Sequence, residues 1–205
     1  MMTEARRPTR SELKRAAILA AARQEFEEKG FQGTSMDAIS ARAEVSKRTL
    51  YNHFASKEAL FGQITECLWQ QDDSLVYQAG EPLEPQLARL AENKLELMAS
   101  PGYIGLARSV MGEYMRSPEL AQAAMARFEE TEDGATLWFR AAIEAGRLKP
   151  ADPKVVAHQF YGLLKTFAFW PQLLAHQEAP TGEARDQVVA DTVAMILARY
   201  GQTMP

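Results

Sequence analysis

Residues 35–54 read Ser-Met-Asp-Ala-Ile-Ser-Ala-Arg-Ala-Glu-Val-Ser-Lys-Arg-Thr-Leu-Tyr-Asn-His-Phe. Ile39, Val45, Leu50 and Phe54 fall at the spacing of two short helices with apolar backs, and Glu44-Val45 between them leaves room only for a tight turn. Lys47, Arg48, Thr49, Tyr51, Asn52 and His53 crowd the second segment with charged, hydroxyl and amide groups, dense enough to meet phosphates and base edges. The pattern predicts a helix-turn-helix. It also suits a helical hairpin whose polar face is merely solvated, and periodicity alone does not separate the two.

Outward from this stretch the helical signals continue in both directions. Thr9, followed three residues later by Glu12, forms a capping box ahead of a helix over about 10–29. Its apolar face is Leu13, Ala17 and Ala21 with Ile18, Ala22 and Phe26, and Gly30 ends it where a left-handed backbone is cheap. Thr34 with Asp37 reads as the cap of the next helix, to about residue 43. Ser46 caps a third over 47–54, and Ser56 caps a fourth from 57 to about 79. Gly80-Glu81-Pro82 and Glu84-Pro85 break the chain, and further helices are predicted over about 85–99, 103–116, 118–145, 153–176 and 184–200. Strand signals are nearly absent. The expected fold is all-α. An N-terminal three-helix domain with the helix-turn-helix, residues 1–62, joins a larger C-terminal helical domain, residues 63–205.

The chain has 205 residues, 46% of them hydrophobic and 24% charged, which is globular composition with enough length for a sizeable core. Cys67 is the single cysteine, so an intrachain disulfide and a cysteine metal cluster are excluded; a reducing cytoplasm is the expected setting. The longest apolar stretches, such as 16–22 and 166–171, fall short of the roughly 20 residues a bilayer requires. No signal-peptide core follows the basic start, and no secretion is expected. The net charge of −4 divides unevenly: residues 1–60 carry +3 and residues 61–205 carry −7. Such a split suits a first part that meets a polyanion, although chance scatter of solvated charge would also give it.

A longer run then becomes informative. Ile18-Leu19-Ala20-Ala21-Ala22 and Phe26, Gly30-Phe31-Gln32-Gly33-Thr34-Ser35-Met36, Val45-Ser46-Lys47, and Leu50-Tyr51-Asn52-His53-Phe54-Ala55-Ser56-Lys57-Glu58-Ala59-Leu60 together resemble the TetR family of bacterial transcriptional regulators. The resemblance covers about the first third of the chain. Phe160-Tyr161-Gly162-Leu163-Leu164-Lys165 with Phe167-Ala168-Phe169-Trp170 looks like the C-terminal domain of the AefR-like subgroup. Glu44 departs from the pattern, because the family often has Gly in that turn, and Glu tolerates a left-handed backbone less well.

The resemblance implies a homodimer whose paired N-terminal domains bind a near-palindromic operator, with the third helix in the major groove. It implies a repressor released by a small apolar or amphipathic effector in the C-terminal domain. Among the DNA-binding candidates, Lys47, Arg48 and Thr49 open the recognition helix. Arg48 can pair both acceptors of a guanine or hold a phosphate, and both readings stand. Tyr51 and His53 match the family's phosphate-contacting positions, and Asn52 stands beside them. Thr34 and Lys57, at or beside helix starts, are further phosphate candidates. Ser46 is read as a cap before a base reader. Arg10 and Lys14, with Arg6, Arg7 and Arg15, form a basic arm that either follows a minor groove or solubilises the start.

For the effector pocket the candidates are Trp69, Met98, Met111, Tyr114, Met115, Trp138, Phe139 and His158, with Asn93 and Arg108 as further polar anchors. Met and aromatic residues at helical spacing are also what a plain core contains. Phe160, Leu163, Leu164, Phe167 and Trp170, with Val189, Val193, Ile196 and Leu197, form apolar stripes that the resemblance implies make a four-helix dimer interface, although part of the stripe would also suit packing within one subunit. No cofactor or metal is expected. The chain lacks the glycine-rich phosphate loop, the G-x-S-x-G elbow, and any paired Cys and His, so an enzyme is disfavoured. The remaining alternative is a sequence-independent architectural DNA-binding protein, against which the acidic, apolar C-terminal part argues.

Overall fold

A computed structural model describes residues 9–69, 76–100, 102–130 and 132–202, with the side chains of 66–69, 127 and 128 excepted. Among the described residues the chain forms eleven helices: α1 Arg10–Gly33, α2 Met36–Arg42, α3 Lys47–His53, α4 Lys57–Trp69, α5 Leu83–Ala99, α6 Tyr103–Arg116, α7 Pro118–Glu130, α8 Gly134–Glu144, α9 Pro153–Ala168, α10 Trp170–Ala175 and α11 Gly182–Tyr200. The only extended pairing among them is an isolated bridge between Leu148 and Gly201. None of these helices is long and apolar enough to cross a membrane.

Two compact units divide the chain, one of Met1–Leu68 with Arg108–Ala124 and one of Trp69–Ala107 with Met125–Pro205. In the N-terminal unit Phe26, Phe31 and Phe61 pack ring against ring, with centroids 4.8–5.7 Å apart. Ile18, Ile39, Leu50, Leu60 and Val110 are buried in the same unit. The buried Glu25 carboxylate lies 2.7 Å from Lys29 Nζ and 2.8 Å from Arg42 Nε, and Arg42 also grips Glu28 at 2.7 and 2.5 Å. This ion network ties α1 to α2 and fixes the angle at which the helix-turn-helix leaves the first helix. In the C-terminal unit α5, α8, α9 and α11 pack around Leu87, Ala91, Met98, Phe139, Phe160 and Leu164.

Local chemistry accounts for the helix ends. Both bonds of the Thr9–Glu12 capping box are present, at 2.6 and 3.2 Å. Gly30, with φ 68°, breaks the regular backbone of α1 three residues before its end. Ser46 and Ser56 accept from the N–H groups of Thr49 and Ala59 at 3.1 Å.

Three expectations are corrected by the structure. The predicted helix over 118–145 is two helices, because Asp133 caps α8 by accepting from Thr136 N at 2.7 Å. The helix over 153–176 stops at Ala168, and α10 restarts with Pro171 in its first turn, where a missing N–H does no harm. Finally, α4 runs to Trp69 and residues 76–82 are non-helical, so no described residue supports its continuation to 79.

Candidate nucleic-acid interface

The geometry of α3 follows from which of its residues the core takes. Leu50 is fully buried and Phe54, its C-cap, nearly so, which fixes the roll of the helix. Lys47, Arg48, Tyr51 and Asn52, at the i, i+1, i+4, i+5 positions of the opposite face, are exposed, while Thr49 and His53 are half-buried at its edges. Tyr51 shows 52% of its surface, an unusual expense for an aromatic ring. Among the described residues the Arg48 guanidinium has neither hydrogen-bond nor ion-pair partner. Lys47 spends its charge on Asp37 at 2.7 Å, but both groups are about two-thirds exposed and the pair is readily exchanged. Ser46 serves as the N-cap of α3, its hydroxyl also 2.9 Å from that of Thr49. Arg10 and Lys14 are exposed along α1, whereas Arg6 and Arg7 lie outside the described residues.

The turn before α3 holds Glu44 at φ 53°, a left-handed non-glycine residue. The chain bends so sharply there that Glu44 N donates to Ala41 O and Val45 N to Ser40 O. The departure from glycine is therefore borne as backbone strain and leaves the turn closed.

Two further candidates are engaged with backbone carbonyls inside the unit. Thr34 is buried, and its hydroxyl lies 2.9 and 2.8 Å from the carbonyl oxygens of Glu25 and Gly30, between which its one hydrogen is shared. The cap of α2 is its neighbour Ser35, which accepts from Ala38 N at 3.1 Å. Lys57 donates to Phe31 O at 2.8 Å and Thr34 O at 3.0 Å, and sits 4.3 Å from the centre of the Phe31 ring. Its charge closes the end of α1, as cations do at helix C-termini.

The effector candidates divide between the two units. Met111, Tyr114 and Met115 belong to the N-terminal unit, where Met115 is 81% exposed and cannot line an enclosed pocket. The Tyr114 hydroxyl is buried without a hydrogen-bond partner. Met98, Trp138 and Phe139 are buried in the C-terminal unit, but His158 is exposed on α9. Of Trp69 only the backbone, at the end of α4, lies within the described residues.

The C-terminal unit divides the dimer candidates. Phe160, Leu164, Val189, Val193 and Ile196 are buried within a single chain and belong to its own core. Leu163 and Leu197 are half-buried, whereas Phe167 and Trp170 are 56% and 44% exposed. Met195, absent from the apolar stripes read in the sequence, is 57% exposed on α11, in a groove that Gly162, Leu163 and Thr166 also line.

Comparison with known proteins completes the picture. The family model for bacterial regulatory proteins of the tetR family matches residues 18–64, and the model for the C-terminal domain of AefR-like transcriptional repressors matches 85–202. The transcriptional regulator UidR of Escherichia coli K12 is 33% identical over 153 residues, which is 73% of this chain and 74% of that one. A solved TetR-family regulator from Pseudomonas syringae pv. tomato superposes with a TM-score of 0.76 at 41% identity, covering 94% of this chain and 99% of that one. The flavonoid-responsive regulator FrrA gives a TM-score of 0.69 at 28% identity, covering 93% and 98%. An exposed recognition helix on a three-helix support, a helical C-terminal unit, and matches over both parts converge: the chain belongs to the TetR family of bacterial transcriptional regulators.

Proposed function

We propose that the protein is a ligand-responsive repressor, working as a homodimer on a near-palindromic operator and released by a small apolar or amphipathic effector. The observation that carries the reading is the outward face of α3, where Arg48, Tyr51 and Asn52 stand exposed over a buried Leu50. Arg48 reads a guanine edge; Lys47, Thr49, Tyr51 and His53 hold phosphates; Arg10 and Lys14 extend the contact along the duplex. Residues 1–62 do the reading, and 63–205 bind the effector and the second copy. The half-exposed Phe167 and Trp170 with Leu163 and Met195 give α9, α10 and α11 an apolar face suited to a four-helix interface. A relative whose name states a response to flavonoids supports a small-molecule effector. The cytoplasm is where such a protein meets its operator.

The mechanism is a linkage. An effector that prefers the dimer conformation whose α3 helices do not match two half-sites one turn apart weakens DNA binding, and DNA weakens effector binding equally. Footprinting upstream of the protein's own gene tests this: a protected near-palindrome is expected, and uniform protection would overturn it. Arg48→Ala should relax preference at one base position, costing about 1–3 kcal/mol. Equal weakening at every site would reassign Arg48 to phosphate.

A further inference from the structure

Lys94 lies on α5 within the apolar series Leu87, Leu90, Ala91, Leu95 and Met98, and it is as buried as they are, 6% exposed. Among the described residues no hydrogen bond and no salt bridge reaches its ammonium. What it meets is the face of Tyr161, whose ring centre is 5.0 Å from Nζ. Lys165, one helical turn beyond Tyr161 on α9, adds a second positive charge nearby, and Asp133 at the cap of α8 supplies one negative charge.

A second buried polar group without a partner lies in the same unit. The Tyr77 hydroxyl has no hydrogen bond, and its ring meets Trp138 edge to face at 5.6 Å. Trp138 stands five residues after Asp133, about 7.5 Å along the helix axis at 1.5 Å per residue. Ring contacts run on from Trp138 through Phe139 and Phe160 to Tyr161, the ring that Lys94 meets. A buried ammonium without an acceptor and a buried hydroxyl without one are each costly, and folds keep such groups where a ligand supplies what is missing.

We infer that this interior receives a small aromatic carboxylate, its carboxylate on Lys94 with Lys165 reinforcing the charge, and its ring body against Tyr161, Trp138 and Tyr77. The unanswered Lys94 ammonium suits an anion, and the aromatic walls suit a flat apolar body more than a sugar. This deepens, and rests on, the reading of the C-terminal unit as the effector-binding part.

The test uses the full-length protein, naphthoate as probe, and the isosteric neutral naphthamide as its control. Binding is followed by tryptophan fluorescence and by the shift in melting temperature. Naphthoate should bind about 10–100-fold more tightly than naphthamide. Lys94→Met should abolish that preference, leave naphthamide affinity within about threefold, and raise the melting temperature of the unliganded protein by roughly 6–12 °C. Equal affinity for the two probes, no binding of either, or a preference surviving in Lys94→Met would each overturn the inference. Should Lys94→Met not fold, the wild type still decides. Naphthoate affinity must fall above about pH 8, where Lys94 gives up its proton, while naphthamide affinity stays level; parallel profiles overturn the proposal. Operator footprinting without probe keeps the two readings apart. An intact footprint with no anion preference sinks the carboxylate site alone, and a preference without any footprint sinks the repressor reading alone.

Discussion

In the N-terminal unit Glu25 is buried and answered: Lys29 and Arg42 stand 2.7 and 2.8 Å from its two oxygens, and every element of the network belongs to the same small body. In the C-terminal unit Lys94 is buried to a similar degree and, among the described residues, is answered only by a ring face. The first arrangement locks two helices at one angle, as a rigid DNA-reading head requires. The second leaves a charge waiting, which stabilises nothing until something binds. Buried charge thus serves rigidity in one unit and is held in reserve in the other, and pH separates the two.

The largest effect is expected at Lys94. Burial, with the charge of Lys165 pressing the same way and Asp133 opposing, lowers its pKa from 10.5 to about 8. Below about pH 8 the group is protonated in both folded and unfolded chains, and the fold carries the full cost of desolvation. Between there and 10.5 the unfolded chain binds the extra proton, so stability climbs with pH. A shift of this size corresponds to about 3 kcal/mol. Urea unfolding of wild type and Lys94→Met across that range should show the variant more stable at pH 7 and the gap closing in alkali. A constant gap would mean that the lysine keeps its ordinary pKa in the folded chain.

Glu25 should behave in the opposite sense and by less. The hydrogen bond from Lys29 first, then that from Arg42, holds its carboxyl below 4.5 in spite of burial. Its contribution is therefore complete above pH 4.5 and is lost as the pH falls through the lowered value. Glu25→Gln keeps the shape and loses the charge, so it should cost about 2 kcal/mol at pH 7. The difference from wild type should vanish in acid, measured by the same urea series.

How far these features could be read beforehand depends on the range of the interactions behind them. The capping box of Thr9 and Glu12, the break at Gly30 and the polar face of α3 arise within one or two turns, and spacing reveals them. Thr34 could not be read correctly, because its burial is decided by the Glu25 carbonyl nine residues back. The apolar residues of α9 and α11 were legible as apolar, but sorting Phe160 and Val193 inward from Phe167 and Trp170 outward needs the neighbours in place. Lys94 leaves a signal in the sequence itself. Leu87, Ala91 and Met98 place position 94 on the buried face of an i, i+4, i+7, i+11 series, so a lysine there is an anomaly visible in the sequence alone.

A charge paired with backbone sharpens the contrast next. Lys57 reaches back 26 residues to the carbonyl of Phe31 and 23 to that of Thr34. Lys57→Met keeps the stem against Phe31 and loses both bonds, which should destabilise by about 1–2 kcal/mol. Operator affinity measured against salt concentration should keep its slope, since no phosphate contact is removed. A slope smaller by about one would return Lys57 to the DNA interface.

The smallest effect separates strain from charge. Glu44 is exposed and holds φ 53° so that the turn between α2 and α3 can close. For a residue with a Cβ that conformation costs roughly 1–2 kcal/mol, of which glycine would return about half after its larger loss of chain entropy. Glu44→Gly should therefore stabilise by about 0.5–1 kcal/mol, raising the melting temperature by roughly 2–3 °C. Because the turn already has its final geometry, operator affinity should not change. Unlike Lys94, whose removal stabilises and costs a ligand, Glu44 would stabilise at no functional cost. Loss of operator affinity in Glu44→Gly would show that the strained turn, and not only the face it presents, sets how α3 enters the groove.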